Sequence, residues 1–142
     1  LFDAANDFAP IAELRAATGA APVCFSPMPG SDLLLVCGDS IRTIAVLDLH
    51  DIRARGTPSV VSFLKHTHEF NDARFSCDGA FVATGGTDKM VRVWDTVTGR
   101  ELCSSDGHIH WSYGVAFHPT VNTKLASCGF DKEVHIFDFQ YG

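Results

Sequence analysis

A hydrophobe-Asp pair recurs along this chain at nearly constant separation. Phe2-Asp3, Leu47-Asp48, Trp94-Asp95 and Phe137-Asp138 set their aspartates 45, 47 and 43 residues apart. Phe25-Ser26-Pro27, Phe75-Ser76-Cys77 and Phe117-His118-Pro119 precede the last three pairs at matching places, each followed by an apolar run. The last two copies align without a gap over residues 82–95 and 125–138. A period of this length marks a repeat architecture, in which each copy is one supersecondary unit and stacked neighbours bury its apolar face. The 142 residues hold three copies, about 11–48, 59–95 and 101–138, with residues 1–5 as the tail of an earlier one.

Each copy reads as a small antiparallel sheet, because short β-rich runs alternate with turn signals. The middle copy has runs at 60–64, 73–76, 81–85 and 91–94, broken at 65–68, 77–79 and 87–89. The last copy has runs at 101–104, 115–118, 124–128 and 134–137, and the first at 11–15, 23–25, 33–38 and 43–47. An Ala-rich stretch over 8–17 competes as a helix, but Pro10 and its place in the repeat favour a strand. The prediction is all-β. The polar linker 49–58 is longer than its counterpart 96–100 and reads as an insertion loop.

A period near 45 residues, with His ahead and Trp-Asp at the end, resembles the WD40 repeat. The resemblance spans nearly the whole chain and is specific in the last two copies. It implies an open segment of a β-propeller with about three four-stranded blades. In that family each repeat supplies the outer strand of one blade and the three inner strands of the next. Three repeats then give two complete blades, one outer strand before them and three inner strands after. Propellers close with about 4–8 blades, so the length predicts an arc of a longer ring; the first residue, which is not Met, agrees.

The resemblance also implies a hydrogen-bonded tetrad of His, Ser/Thr, Asp and Trp within a blade. The middle copy supplies His66, Thr84, Asp88 and Trp94; the last supplies His108, Ser127 and Asp131, with Phe137 in place of Trp. Asp would accept from the imidazole, whose other nitrogen meets the hydroxyl, which accepts from the indole N–H. Phe137 has no N–H, so the last blade is expected to be less rigid. In the first copy Ala16 replaces His, Leu47 replaces Trp and Asp39 is out of register, so no tetrad is expected there.

A Ser/Thr-His-Asp trio also invites a hydrolase reading. Yet no Gly-x-Ser-x-Gly elbow exists, and the trio recurs at repeat spacing, as a strut does and an active site does not. The expectation is no catalytic residue. His66-x-His68 and His108-x-His110 have the alternation of metal ligands, but the repeat explains the first His of each and no Cys stands at ligand spacing. No metal and no cofactor are expected, and His50, His118 and His135 read as surface or turn residues.

Binding then falls to the loops. The family uses positions after the His and around the turn Asp as contacts on its top face, which map to Glu69, Asn71, Thr87 and Lys89 in the middle blade. In the last blade they map to Trp111, Tyr113, Phe130 and Lys132. The aromatic set is the more informative, since Trp and Tyr dominate binding hot spots. Trp111 has two readings, a partner contact or a plug that fills the core where Ser112 replaces Phe70.

Composition narrows the function classes. Lys and Arg total 11 against 17 Asp and Glu, a net charge of −6, which argues against a direct nucleic-acid partner. The longest apolar run, 33–37, is far too short for a membrane span. Five cysteines without a C-x-x-C pair, and no secretory leader, point to an intracellular protein, cytoplasmic or nuclear. The expected role is a non-catalytic protein–protein interaction scaffold in a multiprotein assembly, with the remaining blades among its partners. A ubiquitin-ligase substrate receptor is a second reading, although Trp94-Asp95-Thr96-Val97 lacks the Arg some such members use. A nucleic-acid- or nucleosome-associated subunit is a third.

Overall fold

A computed structural model describes residues 2–3, 9–10, 23–37, 42–50 and 52–140. In chain order the strands are β1 (Phe2–Asp3), β2 (Ala9–Pro10), β3 (Cys24–Phe25), β4 (Leu33–Cys37) and β5 (Thr43–Asp48). After a short helix, α1 (Ile52–Arg55), come β6 (Ser59–Lys65), β7 (Phe70–Phe75), β8 (Phe81–Gly86), β9 (Val91–Asp95) and β10 (Glu101–Ser105). The last are β11 (Ser112–Phe117), β12 (Lys124–Gly129) and β13 (Val134–Asp138). They form antiparallel sheets ordered β3-β4-β5-β6, β7-β8-β9-β10 and β11-β12-β13. The third sheet therefore holds the three inner strands alone, and the blades are not closed into a ring. β1 pairs with β2, Phe2 opposite Pro10. The expected strand at 11–15, with Ala16 and Asp39, lies outside the described residues.

The faces of the sheets make the core. Leu35, Ile44, Val46 and Leu64 of the first sheet meet Phe70, Ala73, Phe75, Val82 and Trp94 of the second. Phe81, Ala83, Val91 and Val93, on the other face of the second sheet, meet Val115, Leu125 and Phe139. Every residue of β8 is buried, as a strand with a sheet on either side requires, whereas β11 and β12 mix buried with exposed residues and β13 alternates between exposed and half-buried. Val134 and Ile136 stand 43 residues after Val91 and Val93, yet they are 69% and 81% exposed.

Two features depart from the sequence reading. The inner strands start earlier than the apolar pattern shows, because bulges between Phe70 and Asp72 and between Ser112 and Gly114 carry the pairing through polar residues. The linker 49–58 holds a helical turn instead of an open loop. Its Ile52 is buried with Leu34, Ala45, Leu47 and Leu49, an anchor too isolated to show as a periodicity.

Candidate functional site

Sheets two and three carry parallel constellations at the ends of β8 and β12. In sheet two, Trp94 Nε1 donates to Thr84 Oγ1 at 2.9 Å, and His66 Nε2 lies 2.7 Å from the same oxygen. The expected bond from Asp88 to His66 is absent: the nearest approach is 3.8 Å. Arg92 stands between them, its Nη1 3.0 Å from His66 Nδ1 and its Nη2 2.7 Å from Asp88 Oδ2, while its Nε reaches Glu101 at 3.3 Å. A guanidinium only donates, so His66 Nδ1 accepts and its Nε2–H is the donor to Thr84. Burial first, and then the Arg92 charge, push the His66 pKa down to about 4. Burial alone would raise Asp88; the Arg92 hydrogen bond, the Met90 N–H and the Arg92 charge outweigh it and hold the carboxyl below its usual range.

Sheet three makes the direct link. His108 Nδ1 lies 2.8 Å from Asp131 Oδ2, and His108 Nε2 lies 2.7 Å from Ser127 Oγ. Here Nδ1–H donates to the carboxylate and Nε2 accepts from the hydroxyl, the opposite tautomer to His66. Burial opposes the Asp131 charge, but the His108 bond, the Glu133 N–H, the imidazole field and the Ile109 N–H prevail and lower its pKa. Phe137, offering no N–H, stacks on His135 at 6.1 Å. His135 itself, expected as a surface or turn residue, is half-buried with its ring 4.4 Å from that of His108. It occupies the repeat position of Arg92.

Glycines make room for both constellations. A Cβ on Gly86 would come within 2.8 Å of Asp88 Oδ1, and one on Gly129 within 2.7 Å of both Asp131 Oδ1 and His108 Nδ1. The turns that follow put Lys89 and Lys132 at φ 71° and 68°, the left-handed region that L side chains avoid.

The expected contact residues divide. Asn71 is no free contact: its Nδ2 donates to the Ser112 carbonyl at 2.8 Å, and Asp72 Oδ2 accepts from the Val115 N–H at 3.1 Å. Both belong to a polar seam joining β7 to β11, which Asn122 extends by donating to Asp78. Glu69 is exposed, but its carbonyl accepts from the N–H and hydroxyl of half-buried Thr87. Lys89 and Lys132 are exposed. Trp111, Tyr113 and Phe130 are 43%, 45% and 57% exposed, and their ring centroids lie 6.0–6.4 Å apart. More than a third of the Trp111 surface is thus open on this face. His110 packs on Phe130 at 4.6 Å and accepts from the Trp111 N–H, while His68 is exposed, its Nδ1 3.2 Å from Thr67 Oγ1.

A cleft of about 330 Å³ runs between β10 and β13, lined by Val91, Val93, Cys103, Leu125, Phe137 and Phe139, with Ser104, Ser105 and Asp138 at its polar part. No histidine lines it, so its serines have no imidazole base within the cleft. No helix of the described residues is long and apolar enough to cross a membrane.

The family model described as "WD domain, G-beta repeat" matches residues 58–95 and 99–138. Nuclear distribution protein PAC1 of Mycosarcoma maydis is 44% identical over 55 residues, which are 39% of this chain and 12% of that protein. Nuclear distribution protein PAC1-2 of Postia placenta (strain ATCC 44394 / Madison 698-R) is 48% identical over 42 residues, 30% of this chain and 10% of that protein. The matches thus span about a tenth of the length of these curated relatives. A chain in the crystal structure of the mitotic checkpoint complex shares the fold, with a TM-score of 0.65 over 82% of this chain and 33% of that one, at 24% identity.

Proposed function

Because the chain belongs to the WD40 repeat family, we propose that it serves as a non-catalytic platform for protein–protein interaction within a multiprotein assembly. The observation that carries this reading is the corner formed by Trp111, Tyr113 and Phe130. Three rings in mutual contact remain about half exposed, Tyr113 on β11 and Trp111 and Phe130 on the segments beside it. Such rings bury much area on binding at low entropic cost, the property that makes them hot spots. The Ser/Thr-His-Asp sets support a structural role rather than a reaction, since their hydroxyls are buried against an indole or an imidazole. An intracellular setting belongs to the same proposal. It is supported by Cys24, Cys77, Cys103 and Cys128, all free thiols, and by the name of the PAC1 relatives.

The test compares Trp111→Ala and Phe130→Ala with the wild type, reading proteins cross-linked to each in cells and the melting temperature of each. Loss of specific cross-links with unchanged melting supports the platform. Undiminished cross-linking overturns the assignment of this corner, and lowered melting alone assigns the rings to packing.

A further inference from the structure

The second and third sheets present the same two atoms at the same turn, an aspartate Oδ2 and a histidine Nδ1, and fill the space beside them differently. In the second sheet the space holds a cation, because the Arg92 guanidinium contacts both Asp88 Oδ2 and His66 Nδ1. Across the repeat, Asp88-Lys89-Met90-Val91-Arg92 becomes Asp131-Lys132-Glu133-Val134-His135. The guanidinium is gone, and both new side chains are metal ligands by type. The His135 ring lies 4.4 Å from that of His108, tilted by 46°, and its Nε2 lies 3.0 Å from Glu133 Oε2. His108, Asp131 and His135 each bring one ligand atom, all within 4.8 Å of one another.

We propose that His108, Asp131 and His135 bind a divalent cation of the zinc class, seated in the third sheet where the guanidinium sits in the second. Two imidazole nitrogens with one carboxylate suit zinc and its neighbours, whereas magnesium and calcium favour oxygen alone. Zinc bonds of about 2.0–2.2 Å set tetrahedral ligand atoms about 3.3 Å apart. The trio is compact enough to close on an ion if the 2.8 Å contact between His108 and Asp131 opens by roughly half an ångström.

The proton inventory also balances. To ligate through Nδ1, His108 must adopt the tautomer of His66, moving its proton to Nε2 and donating it to Ser127 Oγ. Thr84 already accepts such a bond, since its oxygen takes the His66 Nε2–H together with the Trp94 N–H. Glu133 orients the His135 ring, the role carboxylates hold beside metal-bound histidines. Access is past His135, whose side chain is 26% exposed while those of His108 and Asp131 are buried. The set differs from the His-x-His pairs: it takes His108 from one and closes with two residues of the β12–β13 hairpin.

The test titrates the whole protein with Co²⁺, reading its visible d–d absorption, and then displaces it with Zn²⁺. Wild type is expected to saturate at one equivalent. His135→Arg restores the arrangement of the second sheet, so it should keep its metal-free melting temperature and bind about 100-fold more weakly. His118→Ala, which removes an exposed histidine outside the trio, should bind as wild type does. Absence of saturable binding in wild type overturns the proposal. So does binding that survives His135→Arg or is lost in His118→Ala.

Discussion

Arg92 donates to the Asp88 carboxylate across 2.7 Å and thereby displaces His66 from the contact its own repeat partner makes with aspartate. Arg92 and Asp88 are both buried, so neither charge has water to fall back on. Arg92→Leu should lower stability by about 3–5 kcal/mol, the cost of stranding one half of a buried pair. Arg92→Lys should recover only part, since an ammonium cannot bridge Asp88, His66 and Glu101 as a planar fork does. Urea denaturation of the three proteins measures both.

Acid should loosen the second sheet before carboxylates titrate. His66 is held near pKa 4 when folded, below the 6.5 of an unperturbed imidazole, so the unfolded chain takes up its proton first as pH falls. Its contribution is complete above about pH 6.5 and declines down to about pH 4, by about 3 kcal/mol in all. The lowered carboxyls of Asp88 and Asp131 add losses at lower pH still, as each is protonated. The denaturation midpoint against pH should slope through that window in wild type and flatten in His66→Gln.

Phe137→Trp should strengthen the third sheet. The equivalent Trp94 donates to Thr84, and Ser127 Oγ has room for the same bond. A gain of about 1 kcal/mol is expected. Combining it with Ser127→Ala should cancel the gain, which a double-mutant cycle reads directly.

Asp72→Ala should open the seam between sheets two and three. It leaves the Val115 N–H without its acceptor, at a cost of about 1–3 kcal/mol. Hydrogen exchange at Val115 should accelerate more than exchange at Val46 in the first sheet, which the seam does not touch.

The register of the chain was legible because Thr84 and Ser127, Gly86 and Gly129, and Asp88 and Asp131 each recur after 43 residues. What spacing did not show was which side chains meet across a sheet. Arg92 alternates with Val91 and Val93 in a strand that is almost wholly buried. A charge in such a run must be paired, and that was the signal to follow; His135 hid at the same repeat position. The bond that Asn71 makes was hidden for another reason. A bulge turns it toward the next sheet, and bulges leave no mark in the apolar pattern. Trp111 was undecidable from sequence because aromatic loop residues serve either fate, and its partial exposure leaves the Trp111→Ala comparison to separate them.

Val91 and Val93 are sealed by the sheet that follows them, while Val134 and Ile136, their counterparts one period later, are not. The hydrophobic energy of this protein is therefore a property of junctions rather than of sheets. Burying one such aliphatic side chain contributes roughly 1.5–3 kcal/mol, and each junction collects several. Stability should then grow stepwise with the number of sheet-to-sheet contacts, as in a nearest-neighbour chain. A substitution at Val93 therefore weakens the junction between the second and third sheets as well as the sheet that carries it.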